Sequence, residues 1–502
     1  MGHSPLLYRV RWLDGSGYAA SAPTTQNDPL LTNVAMDVAA SRDRIVGFLL
    51  ALFVVAASAI GLRADDAPAN SACRLCSFSA DVTIPLGHRC MGVLSTKSQR
   101  IADPLLAHGF VLLGPEPPIV MCAIDWCEIR NGAYDQWREA LAHAANTTRE
   151  RVLVSSLHQH DAPVVDRDAA EHLRQVGLPD ELYHESFHDQ TVRRVADALA
   201  QSLRNPKPIT HLGLGQAKVD KIASNRRVVY PDGRVTFDRG SASGGIGFHR
   251  EQPEGEIDPF LKTLSFWNGD TPLLALHAYA THPMSYYGRG EVSSDFVGLA
   301  RDRRQRDDFS VHQIFVAGCS GDVTAGKYND GSLENREVLR DRLYDAMVES
   351  WRQTVWQPIE QIVFRHAELD LEFHPHPTLT AESLHTSLDN SELSTEKRIL
   401  AALGLASRRR VESGQKIDLP AMDLGVAQVV LLPGESFVGY QLAAQRMRPD
   451  SFVITIGYGE CWPGYIPTES AFRDGFADNW LWSSPGSEAR IHAALRHVLR
   501  GE

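Results

Sequence analysis

No basic tract interleaved with aromatic residues occurs in the 502 residues, and 62 acidic side chains outnumber 50 basic ones, for a net charge of −12. That balance repels a phosphate backbone and excludes nucleic acid as the main partner. Cysteine is scarce. Of seven in all, Cys73 and Cys76 form a lone CxxC with no second pair, which excludes a zinc knuckle. The odd count fits no disulfide framework and leaves open whether Cys73 bonds Cys76 or either bonds Cys90. There is no internal repeat, and no Pro/Ser-rich linker divides residues 77–502. One large domain is therefore expected, with a split near residue 370 as the alternative. Hydrophobic residues at 43% and charged residues at 22% are ordinary for a globular chain of this length.

One segment departs from that pattern. Residues 45–62, "IVGFLLALFVVAASAIGL", carry no charge, follow Arg42 and Arg44, and lead into small residues. Basic flank, apolar run and small-residue exit are the layout of a signal peptide, and the length also suits a membrane anchor. Either reading predicts an exported chain, periplasmic or secreted, with a membrane surface as a partner. Signal peptides do not carry the polar stretch found upstream, and Met36 stands just before "DVAASRDR". Residues 1–35 are thus expected to be a non-native or disordered extension, and residues 36–64 the signal peptide or anchor.

Beyond it, strand-like and helix-like stretches alternate. "PPIVMCAIDW" and "RVLVSSL" are continuous apolar runs typical of buried strands, while residues 134–147 and "ELYHESFHDQTVRRVADALAQSLR" have helical spacing. Residues 378–418 are polar and helix-prone, a predicted surface excursion. The alternation predicts an α/β fold, with mixed β-sheets flanked by helices in one large catalytic domain.

Residues suited to chemistry gather where apolar strands end. His158 and His160, two apart after "RVLVSS", share a face if the backbone stays extended, and imidazole pairs of that kind can chelate zinc. The continuation "DAP" fits neither the metallo-β-lactamase nor the amidohydrolase pattern. His282 leaves the strand "LLALHAYATHP" toward a loop, whereas His277, inside it, reads as a packed core histidine. Glu435 follows "VVLLPG", and Tyr465 lies in the loop "CWPGYIPT". "FVAGCSGDVTAG" offers Ser320, Asp322 and Thr324 among residues small enough for close backbone approach. Singly, each has a bland reading as a turn, cap or core residue. Together they are what a site at one edge of an α/β sheet requires.

The ordered set "FSADVTIPLGHRCMG", "SSLHQHDAP", "SNRRV", "HAYATHPMS" with "SSDFVG", "AGCSGDVTAG", "LPGESF" and "GYIPT" resembles the neutral (non-lysosomal) ceramidase family over roughly residues 77–480. The resemblance covers that family's catalytic part and not its C-terminal β-sandwich. It implies a zinc ion held by His158, His282, Glu435 and Tyr465, with Trp462 as a nearby aromatic three residues before the last. It places His160 against the substrate carbonyl. The family's catalytic serine falls on Thr324, where threonine keeps a hydroxyl but adds a methyl group that crowds attack. The family's Pro-Asn after that serine is absent, and "SGPG" after the HxH pair is "DAPV". The implied activity is zinc-dependent hydrolysis of an N-acyl amide, on a ceramide-like lipid or a small N-acyl substrate. Zinc with His160 would stabilise the oxyanion, zinc-bound hydroxide or Thr324 would attack, and Asp322 and Asp295 would be orienting carboxylates at the substrate. The alternatives are a zinc-binding scaffold without catalysis and a hydrolase of a different ester or amide.

Overall fold

The chain's structure, a computed structural model, describes residues 73–501. The expectations for residues 1–35, for 36–64 and for the apolar run 45–62 lie outside the described residues. Among the described residues no helix is long and apolar enough to cross a membrane.

Three mixed sheets carry the fold, and each places a parallel pair at one edge. In the first, Val152–Ser156 lies at the edge, parallel to Ile119–Ile124; Leu106–Leu113, Arg74–Asp81 and Lys207–Pro208 complete the order. In the second, edge strand His312–Ala317 runs parallel to Thr271–Tyr279, followed by Phe260–Asn268, His211–Lys218 and Val355–Pro358. In the third, edge strand Phe452–Ile456 runs parallel to Ala427–Leu431, followed by Ile417–Asp423 and Val363–Leu369.

Apolar runs become these parallel edges because both faces of each strand are covered. One face meets a core shared by all three sheets, which holds Met121, Leu153, Leu276, Ile314, Val429 and Ile454. Helices cover the other faces. Asp295–Asp307 and Leu333–Arg352 pack on the second sheet through Phe296, Val297, Leu339 and Leu343. Asn131–Ala145 and Glu185–Ser202 cover the first, where Ala133, Trp137, Val192 and Val195 join the largest core.

The sheets meet at the ends of their edge strands. The amide of Ser156 donates to the carbonyl of Tyr458 at 2.9 Å, and the amide of Gly457 to the carbonyl of Ala317 at 2.9 Å. The strand ends that sequence marked as chemical are therefore brought to one place.

Three expectations are corrected. Residues 378–418 are a surface excursion only in their first half: helix Thr395–Glu412 buries Ile399 and every residue from Ala401 to Ser407. Within its run "AALGLAS", a Cβ at Gly404 would lie 3.1 Å from Leu384 Cδ2 and 3.2 Å from Trp482 Nε1. Among the described residues no split falls near residue 370, since residues 73–501 lie in one unit. Cys76 and Cys90 are buried free thiols, so none of the pairings open to Cys73, Cys76 and Cys90 forms here.

Candidate metal centre

His158 does not sit on an extended strand. Val152–Ser156 ends two residues earlier, and His158 turns the chain with φ of 69°. The shared-face argument for the HxH pair fails, but the turn brings the two rings together with centroids 5.5 Å apart. Left-handed backbone at a residue with a Cβ is costly and persists only where surroundings hold it. Here the His158 amide donates to the carbonyl of Trp126, and its Nδ1 donates to the carbonyl of Cys127 at 3.0 Å.

His282 repeats the arrangement from the second sheet. Its amide donates to Val323, and its Nδ1 donates to the carbonyl of Ser320. A carbonyl only accepts, so Nδ1 carries the proton in both rings and Nε2 is the lone-pair nitrogen. Both Nε2 atoms then face a single carboxylate oxygen, Glu435 Oε2, at 3.3 Å from His158 and 2.9 Å from His282.

Three electron-rich atoms converging in a dry pocket repel one another unless a proton or a cation lies between them. His158, His282 and Glu435 are each 2% exposed or less. Burial raises the Glu435 carboxyl, but His158 and His282 outweigh it and hold the group well below the usual carboxylate range. Burial lowers His158, while Glu435 and Glu128 outweigh it and raise that ring. His282 is pushed down to about 4 by burial and by Arg226. This donor set fits zinc, which would take the place of the proton favoured on His158: two imidazole nitrogens and an ionised carboxylate, each second nitrogen fixed by a carbonyl.

Tyr465 reaches the same carboxylate from the side. Its residue pairs with Glu435 in a short parallel bridge, and its hydroxyl hydrogen bonds the Glu435 side chain. Gly464 makes that approach feasible, since a Cβ there would lie 1.8 Å from the Trp480 carbonyl. Trp462 is a buried residue of the largest core, and its backbone carbonyl accepts from Arg130 and Ser407.

His160 stands beside these residues with its buried Nδ1 unpartnered among the described residues. Burial, then His158 and His282, keeps it neutral. His158, His160 and His282 form one group whose nitrogens could share an ion, and Glu128, His158 and Glu435 form another.

The remaining expected residues lie around this centre. Asp322 accepts from the Val438 amide at 2.8 Å and from Asn225 Nδ2 at 2.8 Å, which fastens the start of helix Val438–Met447, just beyond Glu435. Asp295 accepts from the amides of Ser285 and Phe296 and lies 3.6 Å from Arg336. Both carboxylates hold backbone in place. Thr324 is fully buried, and its Oγ1 accepts from the Gly326 amide at 3.0 Å. Its neighbour Val323 supplies the carbonyl that holds the His282 amide. His277 is a core histidine, bonded to Thr263 and Gln313.

Four residues at the centre escaped the sequence reading. Tyr458 stacks on His158 at 4.2 Å and 15°, and its hydroxyl bonds Ser320 Oγ at 2.7 Å. Arg226 lies 5.5 Å from the Tyr465 ring with its buried Nε unpartnered. Glu128 accepts from Trp480 Nε1 and from Arg130. Tyr287 packs edge-on to His160 with centroids 4.7 Å apart. Only Arg226 had a signal, inside "SNRRV"; Tyr458 and Tyr287 sit in loops, and Glu128 opens the three-residue strand Glu128–Arg130, too short for a periodic pattern.

No protein-family model and no curated protein matches the chain. Among solved structures it is similar to neutral ceramidase from Pseudomonas aeruginosa, at 14% identity and a TM-score of 0.63, over 86% of this chain and 74% of that one. A ceramidase complexed with C2 aligns at the same identity and TM-score, over 86% of this chain and 75% of its own. The chain therefore has a neutral ceramidase-like fold, with its buried histidine–glutamate centre at the junction of the three sheets.

Proposed function

We propose that the chain is a zinc-dependent hydrolase of N-acyl amide bonds, with a ceramide-like lipid as the leading substrate and a fatty acid and an amine as products. The observation that carries this reading is the convergence of His158 Nε2 and His282 Nε2 on Glu435 Oε2. These residues, with Tyr465, would hold the metal, which when bound supplies Lewis acidity toward the substrate carbonyl.

The chain's own groups do the rest. Arg226, cationic and under-bonded, faces the developing negative charge on the carbonyl oxygen. His160, neutral and open at Nδ1, takes a proton from the attacking water and returns it to the leaving nitrogen as the C–N bond breaks. Water is preferred to Thr324 as nucleophile, because Thr324 Oγ1 already accepts a backbone amide and no side chain that could act as its base bonds it among the described residues.

The test offers the purified full chain a fluorescent ceramide, short N-acyl amines and matching esters, with chelator and with zinc restored. Chelator-sensitive amide cleavage supports the proposal. Zinc binding without turnover of any substrate would replace it with a metal-binding scaffold.

A further inference from the structure

The loop between His282 and helix Asp295–Asp307 turns at Gly288 and Gly290, with φ of 79° and 77°, and carries Tyr286 and Tyr287 at its tip. Such a loop would be mobile if left to itself, yet almost every residue in it is tied down. Arg336, from helix Leu333–Arg352, donates through Nε to Ser285 Oγ at 2.7 Å and through its two terminal nitrogens to Ser293 Oγ and the Tyr286 carbonyl. The same guanidinium lies 3.6 Å from the Tyr286 ring centre. Asp161, next to His160, accepts from the Gly288 amide at 2.9 Å. The Gly290 carbonyl takes the amides of Gln99 and Arg100, and Asn329 Nδ2 bonds the carbonyls of Met284 and Ser285.

Tyr287 alone among the loop's aromatic side chains has both a solvent face and a face on the centre. Its side chain is 37% exposed, and its ring lies against His160, itself 6% exposed. A large ring held half in water by a pinned backbone is disfavoured unless something covers it. Its position decides what would cover it. If His160 serves the leaving nitrogen, the amine half of the substrate departs across Tyr287.

We propose that Tyr287 is a specificity-determining residue, a fixed platform on which the first methylenes of the amine half's carbon chain lie. The inference rests on the N-acyl hydrolase reading and adds which half of the substrate the enzyme measures. Because Arg336 and Asp161 hold the loop in advance, the contact costs no ordering of backbone on binding. Selectivity should thus grow with amine chain length until the ring is covered, and then level off.

The experiment compares N-acetyl-dodecylamine with N-acetyl-ethylamine on the zinc-loaded full chain. The wild-type kcat/KM ratio should favour the dodecyl amide. In Tyr287→Ala that ratio should fall about tenfold, through KM, since a hydrophobic contact made equally in ground and transition states moves KM alone. Tyr287→Phe should restore it, because the ring and not the hydroxyl is the platform. A ratio within one preparation is insensitive to the fraction of folded enzyme. Turnover with an unchanged ratio in Tyr287→Ala overturns the platform and leaves the hydrolase reading intact. A wild type that cleaves the fluorescent ceramide but neither amide overturns the platform, and one that cleaves none of the three overturns both.

Discussion

Glu435 Oε2 has two imidazole nitrogens within 3.3 Å, and neither ring can turn its other nitrogen toward it without losing a carbonyl. Glutamine in its place would keep the shape and remove the charge that the metal needs. Losing an outer-sphere partner of a metal site lowers affinity 10- to 100-fold, so losing the carboxylate ligand should exceed about 100-fold. Glu435→Gln is expected to lower zinc affinity and hydrolysis together, read by competition with a chelating dye and by the ceramide assay. Activity intact at matched protein would remove the centre from consideration. Thr324 makes the opposite case. Thr324→Val keeps its shape and deletes the hydroxyl, leaving the Gly326 amide without an acceptor. With water as the nucleophile, activity should stay within about tenfold, near what one buried hydrogen bond is worth. A loss beyond about a thousandfold would restore Thr324 as the nucleophile. The four ligand candidates were legible because an apolar run followed by a lone His, Glu or Tyr is conspicuous. Tyr458 and Tyr287 were not, because nothing in a loop's sequence states which ring it will touch.

At the scale of elements, the edges of the strands matter more than their middles. Ile119–Ile124 and Val152–Ser156 were legible as buried strands from continuous apolar runs, and helix Asn131–Ala145 from its spacing. The HxH pair was misread as strand because periodicity cannot announce the left-handed turn at His158. Helix Thr395–Glu412 was misread because its charged face outnumbers the small apolar face it buries. The segment after Phe452–Ile456 shows how loops are secured. Tyr458, with φ of 57°, joins the first sheet through Ser156 and the Glu435 turn through Gly434. Two residues on, Glu460 accepts from the amides of Asn131 and Trp462 and lies 3.3 Å from Arg410. Burial pushes its carboxyl up to about 7 despite Arg410. The folded state then holds a proton that the unfolded chain has released above about 4.5. Stability contributed by this group is present at low pH and is lost as pH rises from about 4.5 through 7. Thermal midpoints measured from pH 5 to pH 8 should therefore fall less steeply in Glu460→Gln than in the wild type. Equal slopes would show that the carboxyl is ionised throughout.

On the scale of the whole molecule, the α/β class and the single domain were legible in the alternation of strands and helices, but the number of sheets was not. Sheet membership depends on which edges pair, and that is fixed by contacts far apart in sequence, such as Ser156 with Tyr458 and Ala317 with Gly457. His158 follows the edge strand of the first sheet and His282 a strand of the second, while Glu435 and Tyr465 pair in a two-stranded sheet that follows the parallel strands of the third. No pair of sheets alone holds the full set, so the metal should bind the assembled fold and have little affinity for the unfolded chain. Linkage then makes zinc a cross-brace: at a thousandfold excess over its dissociation constant it adds about 4 kcal/mol. For a chain of this size that corresponds to a rise of a few degrees in Tm. Titrating zinc into chelator-stripped protein should raise Tm progressively without a plateau at one equivalent, because the linkage term grows with the logarithm of free metal. Glu435→Gln should have a Tm close to that of the stripped wild type and respond little to zinc, since relief of the lone-pair clash offsets the weakened hydrogen bond from Tyr465. If zinc shifts both proteins equally, the ion is binding elsewhere, and the three-sheet junction is a packed polar core in place of a metal centre.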